Sequence, residues 1–177
     1  MMRKLVLVLL ITLLAAVAWA QVTSDFSLTA NPAFAIPLGP SLADGTPFYT
    51  VGGGASLKGE YTLPFARFLY TGLALDVDFL PINAASKAMT FLSLGPEFGL
   101  RFFPIPRLGV RLAGYGGMYL GFGAGATVYN PFAAGFADIS YLLSPSLSLG
   151  LGATYKYNFS KFGPVYNGIG VNLGVSY

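Results

Sequence analysis

After residue 20 the chain alternates apolar and polar positions one for one, the period of a strand whose two faces meet different surroundings. The alternation is clearest over 90–102, where Leu92, Leu94, Pro96, Phe98, Leu100 and Phe102 share one face and Ser93, Gly95, Glu97, Gly99 and Arg101 the other. It resumes over 108–120, with Leu108, Val110, Leu112, Met118 and Leu120 opposite Gly109, Arg111, Ala113, Tyr115 and Tyr119. Six more runs, 25–34, 51–63, 68–80, 132–142, 146–159 and 169–177, read the same way and bring the total to eight. Short Pro-containing turns are expected at 63–67, 103–107 and 143–147, and longer polar or Gly-rich loops at 37–47, 81–89, 121–131 and 159–168. Asp44-Gly45 and Asn167-Gly168 are turn dipeptides inside those loops.

This pattern excludes transmembrane helices. No stretch after residue 20 has eighteen consecutive apolar residues. Gly and Pro interrupt most windows of helical length. Strands of nine to fourteen residues cover the roughly 9–11 that a tilted strand needs to cross a bilayer. Short turns at one end and long loops at the other predict an all-β fold, an eight-stranded antiparallel up-and-down transmembrane β-barrel.

Composition narrows the picture further. The 177 residues are 54% hydrophobic and 10% charged, against about 25% charged in ordinary soluble domains. That is too few charges for a water-facing surface, and too much hydrophobicity for a disordered chain. There is no Cys, so disulfides, thiolate metal sites and cysteine nucleophiles are absent. There is no His either, which removes most general-base triads and nearly all zinc chemistry. No metal or cofactor is expected.

The first twenty residues read as a secretory signal peptide. Arg3 and Lys4 form the positive start, 5–14 is apolar apart from Thr12, and Ala18-Trp19-Ala20 supplies the small residues of a cleavage site after Ala20. The rival is a membrane anchor, but the apolar run of sixteen residues is short for one. The expected organisation is therefore signal peptide 1–20 and barrel 21–177. The mature chain keeps eight basic and seven acidic residues, a net +1, spread singly. Nucleic-acid binding, which needs a clustered basic patch, is not indicated.

Charge placement decides which face meets lipid. Asp25, Lys58, Glu60, Asp76, Asp78, Glu97, Arg101, Arg111, Asp138 and Lys156 fall on the polar faces. Asp44, Arg67, Lys87, Arg107 and Lys161 fall in or beside turns and loops. None falls on the apolar face, where Lys or Arg at the bilayer midplane would cost roughly 2–4 kcal/mol. A soluble barrel would bury the apolar face and wet the other, yet the polar faces here are rich in Gly, Ala, Ser and Tyr, thin for a solvated surface. Aromatics also gather near strand ends. Phe65, Phe68, Phe102, Phe103, Tyr141 and Tyr177 lie at the turn end; Phe34, Phe48, Tyr49, Phe79, Phe91, Phe132 and Phe159 lie at the loop end. Two such girdles suit the two interfaces of a membrane barrel.

In this architecture, and in its closing run Gly170-Val171-Asn172-Leu173-Gly174-Val175-Ser176-Tyr177, the mature chain resembles the small eight-stranded outer-membrane barrels of the OmpA transmembrane domain, OmpX and OmpW group. The resemblance implies a bacterial outer-membrane location. It also implies that Ile169, Val171, Leu173, Val175 and the terminal Tyr177 act as the signal read by the barrel-assembly machinery, with periplasmic chaperones as partners in transit. Some small barrels are lipid-modifying enzymes using His or a Ser-His pair, and this chain has no His. No counterpart of the long periplasmic domain that follows the barrel in OmpA is expected.

The candidate site is the set of polar-face charges. With a turn centred near Ile105, Arg111 is expected across from Gly99, diagonal to Glu97 and Arg101, with Asp76 and Asp78 able to join them. Such a cluster reads either as a gate or as the salt-bridge filling of a narrow lumen. The second is favoured, because eight strands leave an interior just wide enough for side chains and buried charges must be paired. Paired carboxylates such as Asp76, Asp78 and Glu60 can serve as acid and base, but a plugged interior denies a polysaccharide access. The Gly-rich 121–126 segment lacks the Lys of a phosphate loop and reads as a flexible surface loop. Loop aromatics Phe48, Tyr49, Phe122, Tyr129, Phe159, Phe162 and Tyr166 either meet a surface ligand or belong to the outer girdle.

The function expected is non-enzymatic, structural or surface-interacting, with a plugged polar lumen. The alternative is a narrow channel for small or apolar solutes, as in OmpW. A soluble lipocalin-like binder is a third reading; that family's Gly-x-Trp is missing, since the only Trp is Trp19.

Overall fold

The computed structural model describes residues 26–83, 85–144 and 147–160, together with the backbone of 167–176. The signal-peptide segment with Ala18 and Ala20, Asp25, Lys161 and Tyr177 lie outside the described residues, as do the side chains of Ile169, Val171, Leu173 and Val175. Eight strands follow in order: β1 (Phe26–Pro37), β2 (Gly52–Thr62), β3 (Leu69–Pro81), β4 (Ala88–Ile105), β5 (Leu108–Gly123), β6 (Ala126–Ser144), β7 (Leu147–Asn158) and β8 (Asn167–Ser176). Each pairs antiparallel with its chain neighbour, and β8 closes on β1. Closure leaves no open edge, which is what a sheet in lipid requires.

The register fixes the barrel's dimensions. One row of cross-strand partners runs Phe26, Tyr61, Thr71, Phe98, Gly114, Gly135, Tyr155, Ile169 and returns to β1 at Ile36. Ile36 is ten residues beyond Phe26, so the shear is 10 for eight strands. With the usual strand spacings this gives a tilt of about 40° and a backbone radius of about 8 Å. That interior holds side chains and little else.

Alternation sends the faces where the sequence placed them. Leu73, Phe98, Leu149, Leu151 and Tyr155 are exposed on the outside, whereas Lys58, Glu60, Asp76, Glu97, Arg111, Asp138 and Lys156 are buried inside. Interior glycines make room for large neighbours. A Cβ on Gly99 would lie 2.3 Å from the Tyr70 ring, its direct partner in the β3–β4 ladder, so the ring lies flat in the space that glycine leaves.

Two connections differ from expectation. The 121–131 segment is not a loop: β5 runs to Gly123 and β6 starts at Ala126. Only Ala124 (φ 52) and Gly125 (φ 84) turn the chain. Positive φ at both central residues is the type I′ geometry, whose twist matches paired strands, so the hairpin stays paired to its tip. The 103–107 turn also shrinks, to Pro106 and Arg107 between Ile105 and Leu108, with a register shift between Phe102 and Ile105. Arg111 therefore faces Arg101, and Ala113 faces Gly99.

Candidate functional site

Among the described residues the nine interior charges all join ion pairs, four cations against five carboxylates, in layers along the barrel axis. Nearest the turn end, Arg111 holds Asp138 with Nε to Oδ1 at 2.7 Å and Nη2 to Oδ2 at 2.9 Å, a two-pronged contact between adjacent strands. Its Nη1 reaches Glu60 at 2.7 Å and Thr29 at 3.2 Å. Arg101 also donates to Glu60 and to the Ser27 hydroxyl. One layer up, Lys58 Nζ lies 3.3 Å from Glu97 and 3.5 Å from the centroid of the Phe136 ring, a cation over a π face. Tyr70 donates to Glu97 at 3.1 Å. Further up, Lys156 Nζ bridges Asp76 at 2.8 Å and Asp78 at 2.7 Å, and Tyr115 donates to Asp76 at 2.8 Å. Asp76 and Asp78 thus pair with Lys156 on β7 and not with Arg101 or Arg111. The tighter β4–β5 turn brings the two arginines face to face, and Glu60 supplies the charge between them.

The outer end of the interior is aromatic, which the expected girdle did not anticipate. Tyr49, Phe91 and Phe132 are buried, at 1%, 1% and 3% exposure. They belong to a packed set with Leu80, Met89, Tyr115 and Tyr119. Phe91 meets Tyr49 at 6.0 Å and Tyr119 at 5.9 Å between centroids, and Tyr115 meets Phe132 at 5.8 Å. Alternation carried the signal for two of these. Phe91 shares the parity of Ser93 and Glu97, and Phe132 that of Phe136 and Asp138. Tyr49 lies between strands and has no parity to read. Phe34, Phe79 and Phe159 do face outward.

Tyr49 reaches the interior because its loop is tied to the next one. Thr50 N–H donates to Pro81 O at 2.9 Å, Asn83 N–H to Phe48 O at 2.9 Å, and Tyr49 bridges Ile82. Burial, with Tyr119 adding to it, pushes the Tyr49 hydroxyl up to about 12. In the same loop the exposed Asp44 accepts from the Thr46 side chain at 2.6 Å and its backbone at 2.9 Å, which holds its carboxyl below the ordinary range. The other loop aromatics divide: Phe122 and Tyr129 on the β5–β6 hairpin are exposed, while Phe162 and Tyr166 lie outside the described residues.

Among the described residues no group of His, Cys, Asp and Glu could hold a metal ion. The interior carboxylates are committed to cations and tyrosines, an arrangement that fills space and fixes register.

No family model and no curated protein sequence matches the chain. Solved structures do. Neisserial surface protein A is 17% identical, with a TM-score of 0.67, over 87% of this chain and 96% of that one. Ail, the attachment invasion locus protein of Yersinia pestis, is 14% identical with a TM-score of 0.56, over 86% and 98%. The outer membrane protein AlkL, solved in lipid bilayers, is 14% identical with a TM-score of 0.50, over 86% and 89%. The chain has the fold of the small eight-stranded outer-membrane β-barrel proteins, with its apolar band turned outward toward lipid.

Proposed function

We propose that this chain is a non-enzymatic outer-membrane barrel whose interior is closed and whose work is done at its surface. The observation that carries this reading is the filling of the lumen. A ladder of ion pairs occupies the turn end and middle, and packed aromatic rings occupy the loop end. A barrel with about 8 Å of backbone radius has no room for a water column beside them. What remains available to a partner is the loop end, where Phe122 and Tyr129 stand exposed on a fully paired hairpin. Outer-membrane residence follows from the outward apolar band and the expected signal peptide, and assembly through the closing 169–177 sequence follows from the resemblance.

Conductance in planar lipid bilayers tests the closed interior. The purified barrel is expected to insert without a steady ion current, and Arg111→Ala to alter no current because none flows. A steady current lost or changed in Arg111→Ala would replace this reading with a narrow channel.

A further inference from the structure

Asn158 ends β7 on its interior face, and its side chain is completely buried. Neither its amide nitrogen nor its amide oxygen has a hydrogen-bond partner among the described residues. Buried polar groups are nearly always paired, so an orphaned carboxamide calls for an explanation. Its surroundings are the aromatic layer. Phe132 stands directly opposite it in the β6–β7 ladder, on the same buried face, and packs edge-on against Tyr115. Asn130 and Ser160, the polar side chains flanking it, are occupied by the Tyr119 hydroxyl. Two residues below, Lys156 is committed to Asp76 and Asp78. Tyr49 packs in the same layer against Phe91, and it comes from a loop rather than a strand.

We propose that the outer mouth is a binding site for a small, flat, uncharged molecule carrying an amide or lactam edge, with Asn158 as its polar anchor and Tyr49 as the displaceable ring. A carboxamide presents one acceptor and two donors, and a second amide answers it edge to edge with two hydrogen bonds. The rings of Phe91, Tyr119 and Phe132 offer faces and edges to a planar ligand. Ligand entry moves the Tyr49 ring off Phe91 and gives Asn158 hydrogen-bond partners. The site deepens the surface role proposed above and rests on the closed barrel of that reading.

The test uses the full barrel in lipid nanodiscs, first shown to migrate faster on gels when unboiled. Benzamide is titrated while the Asn158 side-chain amide is followed by NMR, with toluene as the matched molecule lacking the amide. Saturable movement of the Asn158 amide by benzamide is expected. Affinity should fall at least tenfold in Asn158→Leu and rise at least tenfold in Tyr49→Ala, where no ring need be displaced. Toluene should bind at least tenfold more weakly than benzamide to the unaltered protein, a comparison that needs no variant to fold. No saturable shift in either the unaltered protein or Tyr49→Ala overturns the proposal, as does benzamide binding unchanged in Asn158→Leu or matched by toluene. A protein that shows no heat-modifiable migration fails the barrel reading instead, and the two failures are distinct.

Discussion

Arg101 and Arg111 stand directly opposite each other in the β4–β5 ladder, and Glu60, reaching in from β2, accepts hydrogen bonds from both. Like charges in directly opposed positions destabilise a sheet. Glu60 turns the repulsion into a shared anchor, and Asp138 takes the remaining face of Arg111. Glu60→Gln should therefore be among the most damaging interior substitutions, at about 3–5 kcal/mol, the usual loss when one partner of a buried pair is removed. Arg101→Gln in the same background should recover part of that loss by removing the repulsion. Urea unfolding in lipid vesicles measures both, and equal stability of the single and double variants would show that the arginines do not oppose one another.

Gly99→Ala tests the fit of the Tyr70 ring. The new Cβ would lie 2.3 Å from the ring, so Tyr70 must swing away and release Glu97. Overpacking of this kind costs about 1–3 kcal/mol. Tyr70→Ala combined with Gly99→Ala should be less than additive, since the clash is gone before the methyl arrives.

Tyr49 should titrate late. Its hydroxyl is pushed up to about 12 by burial, whereas a tyrosine in an unfolded chain ionises near 10. The folded state therefore favours the neutral phenol. Its contribution is complete below the unfolded value and is lost as pH rises through the folded one. Between roughly pH 10 and 12 the loop should loosen from its contacts with Pro81, Ile82 and Asn83 before the barrel opens. The ultraviolet difference between the protein and Tyr49→Phe isolates this phenol, and ionisation near pH 10 would mean that Tyr49 is not packed inside.

At the tip of the β5–β6 hairpin, Ala124 adopts φ 52, a conformation in which its Cβ is strained by about 1 kcal/mol or more. Ala124→Gly should stabilise the hairpin by a fraction of that amount, and Ala124→Val should destabilise it. Amide exchange of 119–130 reports the difference locally. Unchanged protection in both variants would contradict the tight turn.

Ala124 also shows why part of the fold was hidden in the sequence. Strand faces were legible because alternation placed Leu73, Phe98 and Leu151 out and Lys58, Glu97 and Lys156 in, and burial follows the same parity. The 121–126 stretch reads as a loop because its Gly and Ala residues carry no strong face, and an alanine at positive φ leaves no mark in composition. The charges of the site were all legible, but their partners were not. A shorter turn at Pro106-Arg107 moved Arg111 from Gly99 to Arg101, and strand tilt brought Lys156 of β7 to Asp76 and Asp78 of β3. Pairing across a lumen depends on shear, which no single strand encodes. The aromatic layer was legible for Phe91 and Phe132 by parity and hidden for Tyr49, whose position depends on two loops meeting.

Methyl NMR in lipid nanodiscs tests at once whether lipid lies outside the barrel and whether its interior is filled. A spin-labelled lipid chain should broaden the methyl groups of Leu73 and Leu151, a water-soluble gadolinium chelate should broaden neither, and the Ala74 methyl, fully buried inside, should feel neither agent. Gadolinium broadening of Ala74 would mean an open water-filled lumen, and gadolinium broadening of Leu73 and Leu151 without an effect of the lipid label would mean that the apolar face is not in a membrane.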